Sequence, residues 1–79
     1  MRLTQKDYLI LLHVEQHRNQ PYDQWPEELK MRKAVEKLRL RRYIRRSYWP
    51  IKFTITRRGF NLTQWLTTFF EHVAANSAP

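Results

Sequence analysis

Arginine and lysine are the reactive material of this chain. Between Lys30 and Arg58 lie twelve of them against a single acid, Glu36, while the other fifty residues hold three bases and six acids. A guanidinium presents paired N–H donors that match phosphate oxygens or the guanine edge, and an ammonium acts as a point charge for phosphate. Like charges at this density repel one another, so a folded chain that keeps them expects a polyanion as partner. The net charge of +8 and pI of about 10.5 point the same way, toward nucleic acid, an anionic membrane or an acidic protein. The plainer alternative is a basic face that is merely solvated.

Other chemistry finds little material. "HVEQH" puts His13 and His17 one helical turn apart, but a zinc peptidase motif needs Glu directly after the first His, where Val14 stands. There is no cysteine for a thiolate site or a disulfide, and Gly59 is the only glycine, which excludes a glycine-rich phosphate loop. No nucleophile and base stand at a useful spacing. The expectation is a protein that is not an enzyme, with no catalytic residue, no metal site and no cofactor.

The basic residues need elements to position them, and 79 residues suffice for one small domain, with a core from about 4 to 73 and a frayed tail over 74–79. Thr4 can cap a first helix, with Asp7 in the capping-box position and Leu3 and Tyr8 spaced as a hydrophobic staple. Tyr8, Leu9, Ile10, Leu11, Leu12 and Val14 then supply a broad inward face to about His17. "RNQPYDQWP" reads as a loop with room for about one helical turn. Pro26 suits a first helical position, Glu27 and Glu28 the positive helix end, and Met31, Ala34, Val35 and Leu38 recur at helical spacing, predicting a helix over 26–41.

Beyond Leu40 the period changes to two. Ile51, Phe53 and Ile55 alternate with Lys52, Thr54 and Thr56, and residues 43–48 form a partner strand, giving a hairpin over 43–56 turned by "SYWP". Pro50 biases Trp49 toward an extended conformation, which predicts a stiff tip. A final helix is expected to be capped by Asn61, with Phe60 and Trp65 as staple, and with Leu62, Trp65, Leu66, Phe69, Phe70 and Val73 along one face.

Helix, connector, helix, hairpin, helix is an α+β order, mostly helical. "AVEKLRLRRYI" followed by "FTITRRG" resembles the recognition helix and wing of winged helix-turn-helix domains, in particular MarR-like and PadR-like bacterial regulators. Leu38, Tyr43 and Ile44 match one part of that pattern, and Phe53, Ile55, Thr56 and Gly59 the other. Arg42 stands where the family usually has glycine, so the left-handed cap that ends the helix there should be strained or replaced.

The resemblance implies a DNA-binding regulator. Lys30, Arg32, Lys33, Glu36 and Lys37 would face the major groove, with Glu36 accepting from cytosine. Arg41 and Arg42 would also contact the nucleic acid, and Arg45, Arg46, Lys52, Arg57 and Arg58 would hold phosphates. Trp49 would meet the sugar-phosphate edge or the minor groove, the alternative being that it packs under the hairpin. Trp65, Leu66, Phe69, Phe70 and Val73 would serve a homodimer, since similar regulators pair through terminal helices. The expected partner is double-stranded DNA; the alternative is a protein-interaction module or inhibitor whose basic face docks on an acidic or nucleic-acid-binding protein. The start "MRLTQKDYLILLHV" is too short in apolar run, being interrupted by His13 and Glu15, for a leader or membrane span. No membrane association and a cytoplasmic location are expected.

Overall fold

Thr4 starts the first helix as its spacing predicts. In the computed structural model, which describes residues 3–77, its hydroxyl accepts from the Asp7 amide (3.3 Å) and the Asp7 carboxylate accepts from the Thr4 amide (2.9 Å). Helix α1 then runs Gln5–Gln16 and buries Ile10, Leu11 and Val14, while Leu9 is left largely exposed. Two 3-10 turns follow, Tyr22–Gln24 and Glu27–Leu29, and between them Trp25 is buried in the core. The described residues thus form a small α+β domain of three α-helices and one two-stranded antiparallel sheet, with the helices predominant.

The second helix is shorter than the spacing predicted. Instead of one helix over 26–41, the chain makes the Glu27–Leu29 turn, leaves helical geometry at Lys30 and Met31, and forms α2 over Arg32–Leu40. The Lys30 amide closes on the Glu27 carbonyl (3.1 Å) and its ammonium on the Asp23 carbonyl (2.7 Å), which ties the break to the preceding loop. Pro26 therefore precedes a 3-10 turn rather than opening α2. Val35 and Leu38 are the buried residues of α2 and anchor it against α1.

Arg42 ends α2 in the left-handed region, at φ 65°. The Tyr43 amide bonds the Leu38 carbonyl (3.0 Å) and the Arg42 amide bonds the Arg39 carbonyl (2.9 Å), the paired pattern of a Schellman cap. The left-handed cap is thus formed with an arginine in it. Strand β1, Ile44–Ser47, pairs antiparallel with β2, Lys52–Ile55, in the register Ile44↔Ile55, Arg45↔Thr54, Arg46↔Phe53 and Ser47↔Lys52. Ile44, Phe53 and Ile55 face the core, and Arg45 and Lys52 the other side. At the tip Trp49 adopts φ 63°, not the extended conformation expected before Pro50. The Tyr22 amide bonds the Ile51 carbonyl (2.8 Å) and Pro21 bridges Lys52, so the connector lies along the outer edge of β2.

Helix α3 begins at Arg57 and runs to Ser77, so the expected cap at Asn61 is corrected. Thr56 caps it. The Thr56 hydroxyl accepts from the Gly59 amide (3.0 Å) and lies 2.7 Å from the Arg42 carbonyl and 3.0 Å from that of Tyr43, locking the helix start to the end of α2. Gly59 is needed there because a Cβ on it would lie 1.9 Å from the Tyr43 carbonyl oxygen. Phe60 and Trp65 sit inside the helix, largely exposed, and do not form the expected staple. The helix also continues beyond Val73, where a frayed tail was expected; residues 78 and 79 of that tail lie outside the described ones.

Candidate nucleic-acid interface

Because Val35 and Leu38 point inward, α2 turns Arg32, Lys33 and Leu40 outward, with Arg41 exposed at its end. Nine residues at 1.5 Å each give a rod of about 14 Å, comparable to the roughly 12 Å width of the DNA major groove. Its first turn holds no acid and no side chain caps it. Arg32 and Lys33 therefore stand at the positive end of the helix dipole, where an anion, not a cation, is favourable.

The end of α2 and the hairpin enclose a groove of about 470 Å³ lined by Arg39, Arg42, Arg45, Arg46 and Tyr48, with Ile44 and Thr56 also in its wall. Arg46 also lines the adjoining groove, with Arg32, Glu36 and Phe53, so the outer face of α2 and the hairpin share one basic surface. The Arg46 guanidinium lies over the Tyr48 ring, 5.0 Å from its centroid, and Arg58 lies over Tyr43 at the same distance. Both contacts hold a guanidinium over an aromatic face without neutralising it.

Glu36 is the acid of this surface. Arg39 donates to it from Nε, 3.1 Å from each carboxylate oxygen, and from Nη2 to Oε1, and Arg46 Nη1 lies 4.0 Å from Oε2. Hydrogen bonding by Arg39 holds the Glu36 carboxyl below its ordinary value, helped by the charges of Arg39 and Arg46 and opposed by desolvation. The same bond raises Arg39 further above its already high range. Glu36 is thus occupied by two guanidiniums, which conflicts with its expected role as a free acceptor for a base.

The expected site residues divide. Arg32, Lys33, Arg41, Arg42, Arg45, Arg57 and Arg58 are exposed and have no carboxylate partner among the described residues; Lys52 is half-buried on the outer face of β2, diagonal to Arg45. Trp49 is 95 % exposed, which excludes packing under the hairpin. Lys30 is not on the helix at all and is held by Asp23 and Glu27. Lys37 bonds Asp7 (2.7 Å), a carboxylate only 1 % exposed, and so ties α2 to the cap of α1. Arg39 and Leu40 were missed: Arg39 lies three residues after Glu36 and seven after Arg32, a spacing that places all three on one helix face, and Leu40 is 67 % exposed on that face.

The apolar face of α3 also divides. Leu66 is buried in the core and Phe70 is half-buried, 5.0 Å from the Tyr8 ring, so neither forms a free surface as expected. Trp65, Phe69 and Val73, each four residues from the next, remain exposed, with the Trp65 and Phe69 rings stacked at 5.7 Å.

His13 bonds Gln20 (2.7 Å) and stacks on His17 at 4.4 Å, and no three His, Cys, Asp or Glu side chains among the described residues are grouped to hold a metal ion. No helix of the described residues is long and apolar enough to cross a membrane. Comparison with protein-family models, with curated proteins and with solved structures finds no match to this chain.

Proposed function

We propose that the protein is a small winged-helix DNA-binding regulator acting in the cytoplasm. It sets α2 in the major groove and the hairpin on the phosphate backbone. The observation that carries this reading is the shared basic surface, in which Arg46 belongs both to the groove beside the face of α2 and to the groove at its end. Arg32 and Lys33 supply donors for guanine edges, and the exposed Leu40 suits a thymine methyl. Arg42, Arg45, Lys52, Arg57 and Arg58 supply phosphate contacts, and Trp49 lies where the hairpin tip would reach the backbone or minor groove.

Gel shifts on duplex DNA at several salt concentrations test the reading. Neutralising about six phosphates gives a slope of log affinity against log salt near −5. Arg32→Ala or Lys33→Ala should reduce discrimination among sequences, and Arg45→Ala or Arg58→Ala should weaken all sequences alike. A slope near zero overturns DNA binding. Equal weak binding to every polyanion favours the second reading, a protein-docking module, which the fully exposed Trp49 also supports. The stripe of Trp65, Phe69 and Val73 favours a homodimer that brings two copies of α2 to two half-sites. Sedimentation showing only monomer at tens of micromolar would remove that part.

A further inference from the structure

Four guanidiniums around one groove should drive each other apart, yet Arg39, Arg42, Arg45 and Arg46 all line it. Glu36, at the junction with the adjoining groove, is what restrains two of them: it takes three donor contacts from Arg39 and lies within ion-pair distance of Arg46. It is also the single acid among the twelve bases between Lys30 and Arg58. A carboxylate bridging two guanidiniums occupies the place that a phosphate would take, because both groups offer paired oxygens to the same N–H fork. Its side chain is 41 % exposed, so it can swing away without opening the core. Arg46 would stay supported on the Tyr48 ring after such a displacement.

We propose that Glu36 is an internal counter-ion that pairs with Arg39 and Arg46 beside the arginine groove and competes there with a nucleic-acid phosphate, withholding one phosphate contact from the protein. It sets how many arginines reach the backbone and does not read a base. The inference rests on the proposed nucleic-acid function, and it assigns Arg39 to that site. While Glu36 holds Arg39 and Arg46 that phosphate contact is not made, which lowers the affinity for every sequence alike.

The test is Glu36→Gln, which keeps the size of the side chain and removes its charge. Salt-dependent anisotropy on specific and unrelated duplexes should show a slope steeper by about 0.9 for one phosphate gained, equivalent to roughly eightfold tighter binding at 0.1 M salt, on all sequences alike. Double replacement of Glu36→Gln with Arg39→Gln should return the slope to that of the parent. An unchanged slope, or weaker binding confined to sequences with a particular base, overturns the inference while leaving DNA binding intact. Titration with inorganic pyrophosphate, followed on the arginine Nε–Hε resonances of Arg39 and Arg46, gives a readout that does not depend on DNA. Saturable shifts that tighten in Glu36→Gln support the counter-ion even where no duplex binds, an outcome that would sink the regulator alone. Absence of shifts in both proteins overturns the counter-ion.

Discussion

Replacing Arg42 by glycine should make the protein more stable and a weaker ligand for DNA at once. Arg42 holds φ 65°, where an L-residue with a Cβ is disfavoured by about 1–2 kcal/mol. The bonds that define the turn, Tyr43 N–H to Leu38 O and Arg42 N–H to Arg39 O, are made by backbone alone and survive the change. Glycine restores some freedom to the unfolded chain, which offsets about 0.4–1 kcal/mol of the relief. Removing one of four guanidiniums around the groove acts in the stabilising direction, through lower repulsion. The net expectation is a gain of about 1 kcal/mol, which for a domain of this size raises Tm by about 4–8 °C. In binding, loss of one phosphate contact should make the salt slope shallower by about 0.9.

Thermal and urea unfolding, read beside salt-dependent gel shifts, check both halves. Arg42→Ala is the companion variant, because it removes the charge and keeps the backbone strain. It should match Arg42→Gly in binding and fall short of it in stability. A glycine variant no more stable than the parent would refute the strain argument. A more stable glycine variant with an unchanged salt slope would leave the strain argument standing and remove Arg42 from the interface.

Gly59→Ala should destabilise by about 3 kcal/mol, enough to unfold much of so small a domain, because the Tyr43 carbonyl that the new methyl meets is backbone and cannot rotate aside; urea unfolding measures it. Lys37→Met should lower stability by about 1–3 kcal/mol, less than a fully buried pair because the ammonium is one-third exposed, by leaving the Asp7 carboxylate without its cation. Its salt slope on DNA should stay that of the parent, which a Lys37 in contact with phosphate would not allow. For Glu36, a pKa depressed below its ordinary 4.5 means that its pairing is fully present above that value and is lost as pH falls through the lower, folded one. Its carboxyl carbon should therefore titrate by NMR below pH 4.5, and between pH 5 and 8 its contribution to DNA affinity should be flat.

The capping box at Thr4 and Asp7 was legible because each residue satisfies an amide three positions away, a local relation that needs no tertiary context. The hairpin was legible for a similar reason: alternation at Phe53 and Ile55 leaves one face for the core, although Ile51, expected on that face, lies outside β2 and is exposed. The break at Lys30 and Met31 was not, because it depends on Trp25 entering the core and on Lys30 reaching back to Asp23, contacts set by the loop as a whole. The start of α3 was misplaced for the opposite reason. Asn61 is a good local cap, but Thr56 can also lock the helix to the Arg42 and Tyr43 carbonyls, a link seen only once the hairpin returns the chain to α2. Among the bases, composition showed that a cationic surface exists and could not show which members are diverted. Lys37 and Lys30 look like Lys33 in sequence, and only the position of Asp7 and Asp23 in space separates them.

Apart from Trp49 at the hairpin tip, the local rules that this sequence breaks have a common direction. An arginine occupies a left-handed cap that glycine would fill without strain, Arg32 and Lys33 open α2, and Arg57 and Arg58 open α3, where the helix dipole favours acids. Each departure adds a cation, each is unfavourable in the isolated fold, and alternatives such as glycine or glutamate would be favourable there. The core positions show no such conflict: Ile10, Leu11, Val14, Val35, Leu38, Ile44 and Phe53 are all buried, as their spacing requires. Where local consistency is broken repeatedly and in one chemical sense, the compensating term lies outside the folded monomer. The polyanion proposed to bind along α2 and the hairpin would supply that term at Arg32, Lys33 and Arg42 together, whereas a solvated surface would supply it at none of them.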